Sequence, residues 1–210
     1  MNIGCGRTPL AGWSNFDNSL SVRLSGYPTL ASLLGRLGLF SPAQQSFIAI
    51  VRRERIGWCD ARRIPLADAS VEVLYSCHML EHLDRQAASA FLAEVRRVLL
   101  PNGVVRIVVP DLRRLVKQYE VSGDADAFVE RTLLAQQRRK GPLAIVHSLL
   151  VGQRHHLWMY DGESLTRLLK RHGFRRTWIL PAGETTIDDP SPINLQERSE
   201  DSVYVEARKA

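Results

Sequence analysis

Short apolar runs alternate with amphipathic helical segments along almost the whole chain, and this alternation restricts the fold more than any other feature. It predicts an α/β fold with a mostly parallel sheet and helices on both of its faces. The last two apolar runs have no evident helix between them, so we expect an antiparallel last strand. The seven strand-like runs are Asn2-Ile3, Trp13 to Phe16, Ile56 to Cys59, Val71 to Tyr75, Val104 to Val109, Trp178 to Leu180 and Val203 to Val205.

Two predicted helices have recognisable signals at both ends. Between Asp84 and Leu100 the apolar residues recur at helical spacing, with Asp84 as the N-cap and Pro101-Asn102-Gly103 as the stop signal. A second helix is predicted from about Gly162 to His172, capped by Asp161 and closed by Gly173.

Two stretches are longer than a simple connection between strands requires. Residues 24–55 carry helical patterns around Leu30 to Leu39 and Gln45 to Val51, which predicts a helical insertion. Residues 112–160 follow the fifth strand and should lie beside the carboxyl ends of the strands, where open α/β sheets bind ligands. We interpret residues 112–160 as a substrate lid. The length of 210 residues and the 45% hydrophobic content favour a single domain over residues 1–210.

Composition excludes several classes of protein. No run of roughly 18 or more apolar residues occurs, and the N-terminus lacks the features of a secretory signal, so we expect a cytoplasmic protein without membrane insertion. Cys5, Cys59 and Cys77 are spaced too widely for a metal-binding pair and are expected to be reduced thiols. The net charge of +6 comes from scattered arginine pairs, which does not favour a nucleic-acid partner.

A glycine turn, Gly4-Cys5-Gly6, follows the first short run and allows the backbone to approach a ligand closely. Pro9 occupies the position of the third glycine in the dinucleotide fingerprint, and the sequence has no P-loop, so NAD and ATP are disfavoured. Asp17 ends the second run, where its carboxylate can accept both hydroxyls of a ribose. The turn and Asp17 together therefore predict an adenosine-containing ligand.

The first strand is unusually short for a central strand. Only three residues precede Gly4, whereas a typical strand has about five to six. Either the strand begins upstream of this sequence or it is abnormally short, and we favour a shortened start. A longer chain that melts higher and binds the ligand more tightly would support this expectation.

Taken in order, several segments resemble class I S-adenosylmethionine-dependent methyltransferases, particularly the type 11 group. The resemblance spans nearly the whole chain and implies a Rossmann-like seven-stranded sheet and S-adenosylmethionine as the cofactor. The matching segments are NIGCG, GWSNFD, DARRIPLADASVEVLYSCHMLEHL, RRVLLPNGVVRIVVPDL, HHLWMYDGESLTRLLKRHGF and SVYVEARK.

The resemblance also implies roles for particular residues. The glycine turn would approach the methionine part of the cofactor, Asp17 would hold the ribose, and Asp60 with Ala61 would meet the adenine. Asn2 stands where many members carry an acidic residue, and only ten residues separate Gly6 from Asp17, too few for the usual first helix. The implied cofactor-binding positions are Asn2, Gly4, Cys5, Gly6, Asp17, Asp60, Ala61, Ser76 and Cys77, with His78 beside the methyl group.

The segment His78-Met79-Leu80-Glu81-His82 has the H-x-x-E-H spacing of inverted zinc peptidases, in which two histidines share a helix face. The competing interpretation is that it opens the helix after the fourth strand, with Glu81 and His82 near the cofactor pocket. A strand runs directly into His78 and leaves little helix for a metal-binding pair. We therefore predict no metal.

The candidate general bases are His78, His155, His156 and Asp111. His155 and His156 belong to an aromatic stretch that ends at Asp161, which either faces the acceptor or packs the lid. The predicted function is methyl transfer from S-adenosylmethionine to a small-molecule or glycan-type acceptor. The alternatives are an RNA methyltransferase, for which no base-flipping motif is visible, and a non-catalytic nucleoside-binding module. The sequence leaves the oligomeric state open.

Overall fold

The computed structural model describes residues 1–38, 40–134 and 155–210, and these ranges contain one seven-stranded sheet. The strand order is β3-β2-β1-β4-β5-β7-β6. Strands β1 to β5 pair in parallel, whereas β7 is antiparallel to both β5 and β6, so the predicted antiparallel last strand is confirmed. The strands are β1 (Asn2–Ile3), β2 (Asn15–Asp17), β3 (Gly57–Trp58), β4 (Val71–Cys77), β5 (Leu99–Pro110), β6 (Phe174–Leu180) and β7 (Ser202–Lys209).

Seven α-helices lie in the described ranges; α2 and α3 lie within the predicted helical insertion at 24–55, whereas α1 lies mostly before it. Asp84 and Asp161 cap the helices they were predicted to cap, because their carboxylates accept hydrogen bonds from the backbone N–H groups of Ala87 and Ser164. The helices are α1 (Leu20–Ser25), α2 (Pro28–Arg36), α3 (Pro42–Arg53), α4 (Arg85–Val98), α5 (Leu112–Ser122), α6 (Ala125–Thr132) and α7 (Gly162–Arg171).

Some boundaries differ from the sequence prediction. Helix α4 ends at Val98 instead of Leu100, because Leu99 is fully buried and already pairs with Val71 in the sheet. The predicted stop signal at residues 101–103 therefore lies inside β5. Strand β6 begins at Phe174, four residues before the apolar run that predicted it.

The two faces of the sheet are covered differently. Helices α4 and α7 pack their apolar sides on one face and form the largest core cluster with β4, β5 and β7. On the opposite face, Tyr75, Val108 and Tyr204 pack against Ile187 and Ile193 of the irregular segment 181–201. Part of the second face is therefore covered by this segment, while α1 to α3 lie beside the β2 and β3 edge.

The connection between β1 and β2 is a loop, in agreement with the short spacing between Gly6 and Asp17. The buried side chain of Asn15 closes this loop by donating to the carbonyl oxygens of Leu10 and Trp13, both at 2.9 Å, and accepting from the Leu10 N–H at 2.8 Å. Asn2 donates to the Asn15 side chain at 3.1 Å. Two asparagines thus organise the backbone that a first helix organises in longer connections.

The predicted lid falls only partly within the described residues. Helices α5 and α6 and residues 155–160 belong to it, and residues 135–154 lie outside the described ranges. Its role as a lid and the assignment of residues 1–210 to one domain stay predictions. In the described part of the chain, no helix combines the length and apolar character needed to cross a bilayer.

A buried ion pair fastens the segment 181–201 to the sheet. Arg106 of β5 and Glu206 of β7 are both 0% exposed and lie opposite each other, with Nη1 donating to Oε1 at 2.7 Å. Arg106 also donates to the carbonyl oxygen of Glu184 at 2.9 Å, and Glu206 accepts from the backbone and hydroxyl of Thr186. These bonds hold the segment against the sheet by polar contacts as well as by its apolar side chains, although the Arg106 Nε has no hydrogen-bond partner among the described residues.

We expect Arg106→Met to lower the free energy of unfolding by about 3–5 kcal/mol, because it leaves the Glu206 carboxylate buried without its counter-charge. The measurement is equilibrium denaturation in urea. As a control, Arg53→Met removes the exposed pair between Arg53 and Glu54 and should cost less than about 1 kcal/mol. Equal losses in the two variants would contradict this account of the buried pair.

Candidate functional site

The glycine turn lies at the carboxyl end of β1, where Gly4 and Gly6 adopt φ angles of 69° and 48°. A Cβ built on Gly4 would come within 2.7 Å of the Met79 Cβ and closer still to its Cγ, whereas no atom lies within 4 Å of the corresponding position on Gly6. The turn is therefore packed against the protein at Gly4 and open at Gly6. A bound ligand can reach the backbone there, since no side chain fills the space.

Asp17 joins the end of β2 to this turn. Its Oδ2 accepts a hydrogen bond from the Gly6 N–H at 3.1 Å, and its Oδ1 accepts from the Ser19 N–H at 2.8 Å. An ionised carboxylate has about four acceptor positions, so two remain for a ligand. A side-chain-free turn beside a carboxylate with spare acceptor capacity fits an adenosine-containing methyl donor.

Asp60 and Ala61 follow β3, whose end lies beside Asp17 because the Cys59 N–H donates to the Asp17 carbonyl oxygen at 3.2 Å. Arg62 holds the Asp60 carboxylate through Nη2 at 2.7 Å and Nε at 3.0 Å. These bonds hold the pKa of the Asp60 carboxyl below its usual range. The carboxylate is therefore ionised and oriented, but it shares its oxygens with Arg62, and its predicted contact with adenine stays a prediction.

Asn2 is buried at the start of the site. Its Nδ2 group donates to the Thr8 carbonyl oxygen at 3.2 Å as well as to Asn15. The structure thus gives Asn2 a role in shaping the loop, and the implied contact with the cofactor stays a prediction.

The three cysteines are free and lie in or near the site. Burial raises the pKa of the Cys5, Cys59 and Cys77 thiols to about 12. At physiological pH these thiols therefore remain neutral. The thiolate, which is the reactive and metal-binding form, is not populated. Ser76, next to Cys77 on β4, is buried, and its hydroxyl has no hydrogen-bond partner among the described residues.

The segment after β4 forms a short 3-10 helix over Leu80–His82, and α4 begins only at Arg85. The prediction that this segment opens the helix after the fourth strand is therefore wrong, because Leu83 and Asp84 are extended and separate the 3-10 helix from α4. His78 has a φ angle of 50° and precedes the 3-10 helix that contains His82, so the pair does not have the helix-face geometry of a zinc peptidase.

His78 is held from two sides. Its Nε2 lies 2.8 Å from the Ser202 hydroxyl, and its Nδ1 lies 3.2 Å from the Arg198 guanidinium. Burial lowers the pKa of His78 to about 3, and the charge of Arg198 acts in the same direction. His78 is therefore neutral at physiological pH.

Glu81, His82 and His156 form a polar cluster that draws residues from two distant parts of the chain. The Glu81 side chain is 1% exposed, and neither carboxylate oxygen has a hydrogen-bond partner among the described residues. Its Oε1 lies 3.9 Å from the His156 Nε2, and the rings of His82 and His156 are 5.0 Å apart. Burial raises the pKa of Glu81 to about 7 and lowers the pKa of His156 to about 4.

The remaining candidate bases have other surroundings. The backbone oxygen of His155 lies 3.0 Å from the His82 Nδ1, which places His155 beside the cluster. Asp111 caps α5 by accepting from the Arg113 N–H at 3.0 Å, which gives it a structural role. Tyr160 is buried, which favours the packing interpretation for that part of the aromatic stretch.

Sequence analysis missed the contribution of the segment 181–201 to this region. Arg198 reaches His78, and Glu197 accepts a hydrogen bond from the Tyr75 hydroxyl at 2.9 Å. No local pattern marks these residues, because the contacts follow from the way the segment folds back on the sheet. Glu81 and His82, by contrast, carry a signal in the H-x-x-E-H spacing.

We expect Gly4→Ala to lower the free energy of unfolding more than Gly12→Ala, by about 1–3 kcal/mol. Both glycines have a positive φ, but only the Gly4 Cβ would collide with Met79, since no atom lies within 4 Å of the position on Gly12. Urea denaturation of both variants measures the difference. Equal destabilisation would show that the turn is not packed against Met79.

Comparisons with known proteins agree with this geometry. Residues 44–107 match a family model described as a methyltransferase domain, of the type 11 group. No curated protein sequence matches the chain. A methyltransferase structure from Methanosarcina mazei superposes with a TM-score of 0.52 at 16% identity, covering 99% of this chain and 90% of its own. One from Mesorhizobium loti has a TM-score of 0.50 at 15% identity, with 99% and 89% covered. At these identities the likeness establishes the fold, which confirms the Rossmann-like class.

Proposed function

We propose that this chain is a methyltransferase that transfers a methyl group from S-adenosylmethionine to a small-molecule or glycan-type acceptor. The match of residues 44–107 to a methyltransferase domain and the fold shared with S-adenosylmethionine-dependent methyltransferases support this proposal. The observation that carries the proposal is the hydrogen bond between Gly6 and Asp17, which joins an open, side-chain-free turn to a carboxylate at the edge of the sheet.

In the proposed cofactor cleft, Asp17 accepts the two ribose hydroxyls with its remaining lone pairs. The open side of the turn at Gly4, Cys5 and Gly6 lies along the methionine part of the cofactor. Asp60 and Ala61 border the adenine at the end of β3. Asn2 lies beneath the turn, and Ser76 and Cys77 border the methyl group at the end of β4.

When bound, the cofactor supplies an electrophilic methyl group together with its leaving group, so the protein chiefly aligns the acceptor and excludes water. Alignment of two reactants in attack geometry is worth about 7–11 kcal/mol. A general base adds about 10²- to 10⁴-fold where the acceptor has to lose a proton. Both ring nitrogens of His78 are already engaged, and His155 and His156 stay proposed as candidates for this role.

The burial of the polar groups beside the cleft supports a slender acceptor. Ser76, Glu81 and His156 are all buried, so an acceptor atom that reaches them belongs to a small molecule or to the end of a chain. An RNA base presented by a folded strand needs a wide basic surface, and the arginine pairs of this sequence are scattered.

We expect Asp17→Asn and Asp17→Ala to weaken the binding of S-adenosylhomocysteine by about ten- to a hundredfold, because hydrogen bonds to a charged group contribute about 1.5–3 kcal/mol. Isothermal titration calorimetry measures the dissociation constants. The control is Asp68→Asn, which removes an exposed carboxylate. Asp68 precedes β4 and therefore lies at the amino end of that strand, away from the carboxyl ends that hold Asp17. Unchanged affinity in both Asp17 variants would contradict the assignment.

The acceptor class is tested by incubating the protein with methyl-labelled S-adenosylmethionine and a cell extract. We expect the label in a low-molecular-weight or glycan fraction that resists ribonuclease and protease. Label that ribonuclease releases would favour the RNA alternative. Tight binding of S-adenosylhomocysteine without labelling of any fraction would favour the nucleoside-binding module.

A further inference from the structure

We propose that Glu81, His82 and His156 bind a divalent transition-metal ion, with Zn²⁺ as the best match, beside the proposed cofactor cleft. The binding site stands on the geometry of these three side chains. Its use for an acceptor rests on the proposed function. Sequence analysis predicts no metal, because it considers His78 and His82 as the pair, whereas the structure brings His156 from a distant segment to Glu81 and His82.

The donor atoms are already close to a ligand arrangement. One atom from each of the three side chains lies within 4.8 Å of the other two, and the Glu81 Oε1 is 3.9 Å from the His156 Nε2. In a tetrahedral site with metal–ligand bonds of about 2.0–2.2 Å, donor atoms are about 3.3 Å apart. Metal binding would require rotations of the half-buried His82 and the buried His156 side chains that close this difference.

The unpartnered carboxylate is the second, independent observation. Glu81 is 1% exposed, and both of its oxygens lack a hydrogen-bond partner among the described residues. A buried carboxylate of this kind is costly unless a cation or several donors compensate it. A metal ion between Glu81 and the two imidazoles supplies that compensation.

The orientation of His82 also fits a ligand. Its Nδ1 lies 3.0 Å from the His155 carbonyl oxygen, which fixes this nitrogen as the donor and leaves a lone pair on Nε2. Metal-binding histidines commonly donate their second N–H to a backbone carbonyl in this way. His156 directs its Nε2 toward Glu81.

His78 is not part of the proposed donor set. Its Nε2 contacts Ser202, and its Nδ1 lies 3.2 Å from the Arg198 guanidinium and 3.5 Å from the Glu81 Oε1, so both nitrogens are already engaged in this arrangement. Arg198 is exposed, and its charge lowers the pKa values of Glu81, His82 and His156 as well as that of His78. The set of two imidazoles and one carboxylate suits Zn²⁺ and other divalent first-row metals better than Mg²⁺ or Ca²⁺.

Three protein ligands leave one position of a tetrahedral site open, as in catalytic zinc sites. That position suits an oxygen atom of the acceptor, such as a hydroxyl. The metal would therefore select acceptors that carry an oxygen ligand near the methylated atom. The competing explanation of the cluster is a protonated Glu81 packed between two neutral imidazoles with no metal.

The test uses the full chain purified without a histidine tag and stripped with a chelator, titrated with Zn²⁺ and with Co²⁺. We expect one equivalent of metal per chain by elemental analysis after dialysis, a visible Co²⁺ absorption band of a four-coordinate site, and a higher melting temperature with Zn²⁺. His82→Gln and His156→Gln should each weaken binding by at least about tenfold. The control, His172→Gln, changes a histidine at the end of α7 and should bind metal normally.

Glu81→Gln keeps the inference testable if a histidine variant does not fold. It should keep the melting temperature of the stripped protein and lose most of the Zn²⁺-dependent increase. Metal content below one tenth of an equivalent in the wild-type protein, or equal affinity in all variants, would overturn the metal site. Calorimetry with S-adenosylhomocysteine on the stripped protein separates the two proposals: normal binding without metal uptake overturns this inference alone, whereas metal uptake without cofactor binding overturns the proposed function.

Discussion

The packing of Met79 against Gly4 is the contact on which the candidate site depends. Gly4 has a positive φ and no room for a Cβ, so the turn after β1 can pack directly on the segment after β4. This contact joins the turn that we propose to face the cofactor to the segment that we propose to face the acceptor. The same turn reaches Asp17 through Gly6, and Asp17 reaches the end of β3 through its carbonyl oxygen. The glycine turn and the carboxyl ends of β1, β2 and β3 thus form one continuous surface at the same end of the sheet.

The buried pair of Arg106 and Glu206 supports this surface indirectly, through the segment 181–201 that packs on one face of the sheet. It fixes the beginning of the segment 181–201, whose later residues Glu197 and Arg198 contact Tyr75 and His78. A buried ion pair contributes little net stability compared with apolar packing. It favours a single arrangement of its partners, because any other arrangement leaves a buried charge without compensation. We infer that its value here lies in positioning a segment that forms no helix or strand and whose own backbone hydrogen bonds are confined to turns and a few loop contacts.

Features that depend on local sequence could be predicted. Alternation of apolar runs gave the seven strands, and the capping residues Asp84 and Asp161 gave the starts of two helices, because caps and hydrophobic periods act within a few residues. Strand β6 was predicted too short since Arg175 and Arg176 are exposed on an edge strand and interrupt the apolar run. The glycine turn and Asp17 were predicted as neighbours from their places after β1 and β2, and the structure joins them.

Features that depend on pairing between distant residues could not be predicted from the sequence. Arg106 and Glu206 lie 100 positions apart, and each alone has the pattern of a solvent-facing strand residue. The cluster of Glu81, His82 and His156 likewise needs the fold to bring the aromatic stretch back to the end of β4. The 3-10 helix after β4 was missed because a positive φ at His78 is a property of the backbone that no residue type announces.

The most direct test of the central claim is a crystal structure of the chain with S-adenosylhomocysteine. The account predicts that both ribose hydroxyls lie within about 3.2 Å of the Asp17 carboxylate and that the homocysteine part follows the open side of the turn at Gly6. A nucleoside bound elsewhere, with the Gly6 and Asp17 surface uncovered, would contradict it.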